Sequence, residues 1–417
     1  MRIFCYIIHN FIIKCYNINI NIINLEVFMN KVLKRVLLYF SFVLAAILLF
    51  VLGYVIFILL SYSRIDDNLN LDIDGSAVNS VVEINEELSI SSYNIGFGAY
   101  SQNYTFFLDS AETVDGIATQ GYYGTALNKE EVLFNTNGAI KTIKELNPDF
   151  AIFQEVDIKV TRSYKIDQYQ MIKDAFNHNN LTYGINFDTA FLPYPLYDMH
   201  GKTLAGIATA SKYQIQKATR ISLPIADNLS KLFDLDRCFV INEFKTSNDN
   251  KLIIVNIHMS AYDEGGVIRK QQLDILNKYL IEWEKLGYYV IVGGDFNHDL
   301  LTFNPLNDFN FDTKIAFKEF INHKKPDWLQ MFFLEDGTGV INEDYRVIAS
   351  SNAPTNRDAS VEWEIGKGYV SVIDGFIVSK NIEVITVETI ITKNGNKGLD
   401  HFAYSDHDPT LLKFKLK

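Results

Sequence analysis

An uncharged apolar run near the N-terminus constrains this chain more than any other feature of its sequence. From Val36 to Tyr62 it reads VLLYFSFVLAAILLFVLGYVIFILLSY, 27 residues without a charged side chain. About 20 apolar residues suffice for a helix to cross the hydrocarbon core of a bilayer. A cleaved signal peptide has a shorter apolar region, about 7–15 residues, that ends in a small-residue cleavage site. Residues 60–63 make a poor cleavage site, so the run predicts an uncleaved transmembrane signal anchor, residues 36–62.

Charged residues on either side of this run predict its orientation. Lys31, Lys34 and Arg35 precede it, and aspartates dominate the segment that follows. Basic flanking residues stay on the cytoplasmic side of a membrane. We therefore expect residues 29–35 to be a short cytoplasmic segment and the C-terminal body to lie outside the cytoplasm. Residues 63–85 are polar and acidic, which predicts a short stalk.

The first 28 residues are rich in Ile and Asn and show no clear period. Met29-Asn30-Lys31 resembles a natural start followed by a basic segment. Residues 1–28 are therefore interpreted as a non-native stretch ahead of the true start, or as a disordered extension.

The body of the chain is strongly acidic and poor in cysteine. Residues 1–62 hold five of the 38 Lys and Arg side chains and one of the 50 Asp and Glu side chains, so residues 63–417 hold 33 against 49, a net charge of −16. Grooves that follow nucleic-acid backbones are normally basic, so this balance disfavours a nucleic-acid partner without excluding one. Of three cysteines only Cys238 lies in the body, which excludes an internal disulfide and a thiolate zinc site there.

From Glu86 onward, apolar runs typical of strands alternate with helical periods. The predicted strands are Leu88–Asn94, Phe150–Gln154, Gly206–Ala210, Cys238–Phe244, Lys251–His258, Tyr288–Gly293, Val372–Val378 and Thr410–Lys415. The predicted helices are Val132–Leu146, Gln168–Asn177 and Val267–Leu286. Two long irregular stretches, residues 98–129 and 300–369, are expected to shape a substrate pocket.

Polar side chains follow the ends of several of these strands. Carboxylates and imidazoles gathered at strand ends indicate one site on a rigid scaffold. Carboxylate and amide oxygens are the ligands that Mg²⁺ or Mn²⁺ prefer. The residues at the strand ends are Asn94, Gln154, Glu155, His258, Asp295, Asn297, Asp374, Asp406 and His407.

Seven short motifs, taken in order, resemble those of the endonuclease/exonuclease/phosphatase superfamily, also described as DNase I-like. They are SSYNIG (91–96), IFQEVD (152–157), GIATASKYQI (206–215), NIHMSA (256–261), GGDFNHD (293–299), IDGFIVS (373–379) and YSDHDP (404–409). Each motif is weak by itself, but their shared order across residues 86–417 is specific. The chain therefore resembles a membrane-anchored bacterial member of this superfamily.

The resemblance implies an α/β fold, a four-layer α-β-β-α sandwich preceded by one transmembrane helix. Two mixed, mainly antiparallel sheets would pack face to face with helices outside both, and residues 86–417 would form the catalytic domain. The resemblance further implies a metal-dependent phosphoric ester hydrolase. Its cation, Mg²⁺ or Mn²⁺, would be held by Glu155 as the principal ligand, with Asn94 and Asp406 beside it.

Further roles follow from the same motifs. Asp295 would orient or deprotonate the attacking water, and Asn297 would hold the phosphate or that aspartate. His258 and His407 would donate hydrogen bonds to phosphoryl oxygens, and Asp374 would hold His407 in one tautomer. Whether Asp295 or His407 is the general base stays open.

Two arginines are weaker candidates for phosphate contacts. Arg237 matches a basic position that the superfamily often places near the phosphate, and the alternative is a surface ion pair. Arg357, in the second irregular stretch, is equally a candidate for a phosphate contact and for pairing with a nearby acid.

Membrane anchoring and an acidic body favour a lipid head group or another small phosphoester as the substrate, hydrolysed outside the cytoplasm by a monomer. An extracellular Mg²⁺-dependent nuclease is the first alternative. An inactive surface binding protein on the same fold is the second.

Overall fold

A computed structural model gives the structure of the protein over residues 31–61, 64–113, 115–192, 194–225, 236–261, 267–298, 300, 341–393 and 400–417. The interpretation of residues 1–28 lies outside these described residues. The chain divides into two compact units, residues 1–61 and 62–417.

The first unit contains helix α1, Lys31–Ser61, which includes most of the uncharged run. Its stretch Leu33–Phe57 has 25 residues with a mean hydropathy of 2.7, and is long and apolar enough to cross a membrane. A signal sequence would pass the same test of length and composition. The structure therefore agrees with a helix here, while its use as a membrane anchor stays a prediction.

The second unit contains eighteen strands and three longer helices among its described residues. The strands are β1 (Leu69–Asn70), β2 (Asp74–Gly75), β3 (Leu88–Asn94), β4 (Ser110–Glu112), β5 (Ala118–Gln120), β6 (Phe150–Asp157), β7 (Asn180–Leu192), β8 (Gly201–Ser211), β9 (Ile215–Ser222), β10 (Cys238–Lys245), β11 (Lys251–His258), β12 (Tyr289–Asp295), β13 (Tyr345–Ile348), β14 (Asn356–Arg357), β15 (Val370–Ser371), β16 (Asp374–Ser379), β17 (Ile382–Thr389) and β18 (Thr410–Leu416). The helices are α2 (Lys129–Leu146), α3 (Gln168–Ala175) and α4 (Val267–Lys285).

Two seven-stranded sheets organise these strands. Sheet A has the order β1-β9-β10-β11-β12-β16-β13, and sheet B has the order β17-β18-β3-β6-β8-β7-β2. One central pair in each sheet is parallel, β11 with β12 and β3 with β6, and the remaining pairs are antiparallel. The expected mixed, mainly antiparallel sheets are confirmed.

Strand β12 shows how the layers are held together. Tyr289 and Ile291 belong to the core between the two sheets. Val290 and Val292 face the other side and pack in the cluster that includes Leu276 of α4. Because both faces are covered, the strand reads as an unbroken apolar run, as expected of a buried parallel strand.

Strand β6 repeats this arrangement in sheet B. Phe150 and Ile152 enter the core between the sheets, whereas Ala151 and Phe153 pack in the cluster that includes Ile140 of α2. Helices therefore lie outside both sheets, which confirms the four-layer α-β-β-α sandwich.

The segment expected to form a stalk contributes to both sheets. β1 pairs with β9 at the edge of sheet A, and β2 pairs with β7 at the edge of sheet B. Arg64 Nη2 donates to the carbonyl of Leu223 at 2.8 Å, and Val82 is fully buried. Edge strands of two residues bury little apolar surface, which is why the acidic composition of this segment gives no sign of them.

The sequence patterns do not predict three of the long strands, β7, β9 and β17. All three are interrupted by β-bulges: the register of β7 shifts twice against β8, that of β9 shifts once against β10, and that of β17 shifts once against β18. A bulge places an extra residue in one strand and breaks the alternation of apolar and polar positions.

Candidate active site

The predicted catalytic residues meet at one edge of the sandwich. In sheet B the parallel strands β3 and β6 end at Asn94 and Asp157, and in sheet A the parallel strands β11 and β12 end at His258 and Asp295. Parallel neighbours end at the same edge of a sheet. β16 runs antiparallel to β12 and begins with Asp374 opposite Asp295, so a strand start also reaches this edge.

Asn94 connects the two sheets at this edge. Its Nδ2 lies 3.0 Å from Asp295 Oδ2 and 3.3 Å from Glu155 Oε1. Its Oδ1 accepts the backbone N–H of Gly96 at 3.0 Å. Asn94 therefore presents its amide nitrogen, rather than the expected ligand oxygen, to the two acids. For Asn94 to bind a metal ion through its oxygen, the side-chain amide would have to turn by about 180°, and the hydrogen bond from the Gly96 N–H to Oδ1 would be lost.

Glu155 enters the site through a β-bulge. The register of β6 against β8 shifts between Phe153 and Val156, and Glu155 has a φ of 54°. A left-handed backbone at a residue with a side chain costs about 1–3 kcal/mol and persists where the surrounding structure enforces it. The bulge aims the Glu155 carboxylate at the site, with Oε1 4.0 Å from His258 Nε2.

His407 and Asp374 form the tightest pair of the site. His407 Nδ1 lies 2.7 Å from Asp374 Oδ2, and the two side chains are 5% and 1% exposed. The opposite ring nitrogen, Nε2, lies 3.7 Å from Asp295 Oδ2. This is the geometry in which a carboxylate fixes the tautomer of an imidazole.

Asp295 lies between the two histidines. Its Oδ2 is 3.5 Å from His258 Nε2, and its Oδ1 accepts the N–H of Asn297 at 2.8 Å. Asn297 Nδ2 donates to the carbonyl of Met259 at 2.9 Å, which holds the turn after β12 against the end of β11. The structure thus brings together all eight residues of the core prediction: Asn94, Glu155, His258, Asp295, Asn297, Asp374, Asp406 and His407.

Burial and mutual repulsion set the charge of the acids. Burial, and secondly the charge of Asp406, raise the pKa of Glu155. Burial likewise raises the pKa of Asp406, against the opposing effect of His407. For Asp295, burial outweighs the stabilising charge of His407 and raises its pKa to about 7. Carboxylates kept this close without a cation repel one another.

The two histidines are driven in opposite directions. Burial and the positive charge of Arg237 hold the pKa of His258 well below its ordinary value, so this imidazole is neutral at pH 7. Burial also disfavours the charged form of His407, but the surrounding carboxylates of Asp374, Asp406 and Asp295 outweigh it and raise the pKa of His407 well above its ordinary value. The site therefore pairs a neutral imidazole with a charged one.

The donor set around Glu155 fits a hard divalent cation. Glu155 and Asp406 offer carboxylate oxygens whose mutual repulsion a cation would relieve. A second grouping, Asp295, Asp374 and His407, has potential ligand atoms within 4.8 Å of one another. There, however, the 2.7 Å bond between His407 and Asp374 already uses one ring nitrogen and one carboxylate oxygen. The Glu155 and Asp406 side of the site is the better cation position.

The two arginine candidates differ in their surroundings. Arg237 lines the site cavity and is close enough to His258 to lower its pKa. Arg357 is 1% exposed, and its Nη2 donates to the carbonyl of Ser101 at 3.1 Å, while its Nη1 donates to that of Val361 at 3.2 Å. Arg357 therefore ties together loops beside the site. It also lines the cavity, and its charge opposes the rise in the pKa of Asp406, which keeps both the phosphate contact and the neighbouring-acid alternative as predictions.

Sequence reasoning did not assign a role to two polar residues of the site. Asn356 Nδ2 lies 3.1 Å from His407 Nε2. Arg162 pairs with the fully buried Asp157 through two bonds of 3.0 and 2.8 Å, and its guanidinium lies 3.9 Å from the centroid of the Phe97 ring. Asp157 ends β6 two residues after Glu155, so this pair supports the bulge. The only sign of this ion pair in the sequence is that Asp157 and Arg162 lie five residues apart.

The site opens into a cavity of about 310 Å³. Its polar floor holds the catalytic candidates, and much of its wall is aromatic or aliphatic. The wall residues are Phe97, Tyr100, Phe106, Phe107, Leu108, Phe187, Leu192 and Tyr194. This volume accommodates a small organic phosphoester.

The chain is similar to several solved structures at low sequence identity. Among solved structures, the chain is similar to truncated Caenorhabditis elegans TDP2, with 15% identity over 79% of this chain and 98% of that one and a TM-score of 0.46. It is also similar to an endonuclease/exonuclease/phosphatase from Beutenbergia cavernae, with 12% identity, 79% and 72% coverage and a TM-score of 0.46. It is similar as well to ANGEL2, a 2′,3′-cyclic phosphatase, with 14% identity over 84% of this chain and 99% of that one and a TM-score of 0.49. No curated protein sequence matches the chain.

The model of the Endonuclease/Exonuclease/phosphatase family matches residues 132–407. This range covers about two thirds of the chain and includes most of the residues that converge at the site. The chain belongs to the endonuclease/exonuclease/phosphatase family and is a phosphoric ester hydrolase.

Proposed function

We propose that this protein is a membrane-anchored, extracytoplasmic, divalent-metal-dependent hydrolase of a small phosphoester, with a lipid head group among the favoured substrates. The observation that carries the proposal is the convergence of Glu155, Asp295 and His407 around one cavity, with Asn94 Nδ2 bridging Glu155 and Asp295. The cavity volume of about 310 Å³ supports a single small ester rather than a polymer.

A bound Mg²⁺ or Mn²⁺, held by Glu155 and Asp406, would neutralise phosphoryl charge and stabilise the leaving oxygen. The protein's own groups do the rest. Asp295, hydrogen-bonded to Asn94, orients and deprotonates the attacking water. His407, charged and fixed by Asp374, donates a hydrogen bond to a phosphoryl oxygen, and the neutral His258 donates another. Asp374 acts through His407 and is a positioning residue.

An exposed apolar rim beside the cavity supports a substrate presented at a membrane surface. Tyr194, Leu196 and Tyr197 are 53%, 76% and 60% exposed. The Tyr194 ring lies 5.5 Å from that of Phe107, which lines the cavity, and Tyr197 stacks on Tyr122 at 4.7 Å. Tyrosines mixed with aliphatic residues are typical of the membrane–water interface.

A substrate panel tests the proposal. Full-length protein in detergent micelles would be incubated with p-nitrophenyl phosphate, bis(p-nitrophenyl) phosphate, dihexanoyl phosphatidylcholine and plasmid DNA, with Mg²⁺, with Mn²⁺ and with EDTA. We expect metal-dependent hydrolysis of at least one small ester, lost in His407→Ala and reduced in Glu155→Gln. Cleavage of DNA alone would favour the nuclease alternative. Equal rates for the wild type and both variants would favour the inactive binding protein.

Topology needs a separate measurement. Proteolysis of intact cells is expected to release fragments from the catalytic domain, because we place residues 63–417 outside the cytoplasm. Fragments that appear only after lysis would contradict the proposed orientation.

A further inference from the structure

Asn186 is a further cavity-lining residue to which no role has been assigned, and its environment is unusual. It is 1% exposed and lines the cavity. Within the part of the chain that the structure describes, neither Oδ1 nor Nδ2 has a hydrogen-bond partner. A buried amide without partners costs about 1–3 kcal/mol for each polar atom, so a side chain of this kind calls for a partner from outside the protein.

The backbone explains why Asn186 faces this way. The register of β7 against β8 shifts between Ile185 and Phe187, which makes Asn186 the extra residue of a bulge. Bulges turn one side chain out of the regular alternation. Arg220 Nε donates to the carbonyl of Ile185 at 2.6 Å and holds the bulge in place, which fixes the position of Asn186 in the cavity lining.

Asn186 lies on the same side of the cavity as Arg237 and His258, the residues expected to contact the phosphate. The carbonyl of its neighbour Ile185 is 3.8 Å from Cys238 Sγ. Cys238 follows Arg237 and pairs with His258 across strands β10 and β11. A phosphoryl group at His258 would therefore leave its organic substituent within reach of this wall.

The chemistry of the cavity wall limits the kinds of organic substituent that would be complementary to it. A carboxamide offers an N–H donor beside a carbonyl acceptor and is complementary to a group with the same pair, an N–H next to a C=O. The neighbouring wall is aromatic: the Phe106 ring lies 4.8 Å from that of Phe107 and 6.1 Å from that of Tyr100. Such rings favour a flat or apolar body next to the polar edge.

We propose that Asn186 recognises an amide-type edge, N–H beside C=O, on the organic group of the phosphoester. This inference rests on the proposed function. Two substrate sources share the chemistry: the lactam edge of a pyrimidine or purine nucleotide, and the N-acyl amide of an aminoalcohol phosphoester lipid.

Matched ester pairs test the proposal on full-length protein. The first pair is thymidine 5′-(p-nitrophenyl phosphate) and its N3-methyl derivative, which keeps the ring and loses the N–H. The second pair is N-hexanoyl sphingosylphosphorylcholine and its N-methyl derivative, which keeps the head group, the chains and the carbonyl and loses the N–H. In at least one pair the wild type is expected to prefer the ester that keeps the N–H about 10- to 100-fold in kcat/KM, from the loss of one or two buried hydrogen bonds.

Asn186→Leu, which has a similar volume, should abolish that preference and leave kcat/KM for bis(p-nitrophenyl) phosphate within about twofold. Ile185→Val, the neighbouring residue of β7, is the control variant and should keep the preference. Thermal unfolding of Asn186→Leu should match the wild type or exceed it, since the variant removes two unpaired polar atoms.

Each outcome separates the two proposals. Hydrolysis without any preference in the wild type, or an equal loss on all esters in a folded Asn186→Leu, would refute the recognition role and leave the phosphoesterase standing. A wild type that hydrolyses none of the esters with Mg²⁺ or Mn²⁺ would refute the proposed function itself.

Discussion

Replacing Asp374 by Asn should identify the charge state in which His407 works. Asp374 Oδ2 lies 2.7 Å from His407 Nδ1, and the two side chains are only 1% and 5% exposed. With an effective dielectric constant of about 20, two unit charges at that separation interact by roughly 6 kcal/mol, an upper limit because burial of both groups opposes it. The amide keeps the shape of the side chain and removes the charge.

The magnitude follows from the role of the imidazole. Positioned proton donors and acceptors contribute about 10²- to 10⁴-fold to rate, so Asp374→Asn is expected to lower kcat/KM by that amount. The carboxylates around His407 raise its pKa well above the ordinary value, so losing one of them must lower that pKa. If the charged imidazole is the active form, the alkaline limb of the pH profile then moves to lower pH.

The assay is kcat/KM from pH 5.5 to 10 at saturating Mg²⁺ on the best small ester of the panel. Asp344→Asn, a surface aspartate 2.9 Å from Lys380 Nζ, is the matched control and should leave the profile unchanged. An acidic limb that moves instead would make neutral His407 the general base and would contradict the assignment of that role to Asp295. If the pH profile of Asp374→Asn were identical to that of the wild type, the functional pairing of Asp374 with His407 would be refuted.

Three further outcomes are expected. Glu155→Gln should raise the Mg²⁺ concentration at half-maximal activity at least about tenfold, because it removes the principal carboxylate ligand; an unchanged metal titration would contradict ligation by Glu155. Gly294→Ala should destabilise the fold by about 3 kcal/mol or more in urea titrations, since its Cβ would lie 1.9 Å from the Ile257 carbonyl oxygen. Gly366→Ala, whose Cβ would meet no atom but whose φ is 86°, should cost only the backbone strain, about 1–3 kcal/mol. Burial lowers the pKa of His200 from 6.5 to about 3, so its contribution to stability falls by about 2 kcal/mol between pH 6.5 and 4.5 as the unfolded state takes up a proton. His200→Gln should show a correspondingly flatter dependence of unfolding free energy on pH.

The sequence, through its resemblance to a known superfamily, predicted the layered core and which polar residues meet at the candidate site. Strands β3 and β11 were predicted to the residue. For β11 the reason is that covered faces on both sides leave a nearly unbroken apolar run that no helix period imitates. The eight convergent polar residues were predictable because they lie in the family's motifs at the ends of core strands: Asn94, Glu155, His258, Asp295 and Asn297 at or close to strand ends, and Asp374, Asp406 and His407 at or just before strand starts.

The arrangement of those residues was decided by tertiary structure. Glu155 reaches the site only through a bulge with a left-handed backbone, and Asn94 turns its amide nitrogen toward the acids because Gly96 takes its oxygen. Arg162, Asn186 and Asn356 gain their significance from groups that are distant in the chain. Local patterns record which faces are buried, whereas pKa shifts, cavity walls and unpaired polar atoms arise from contacts between the two sheets, and these depend on three-dimensional packing.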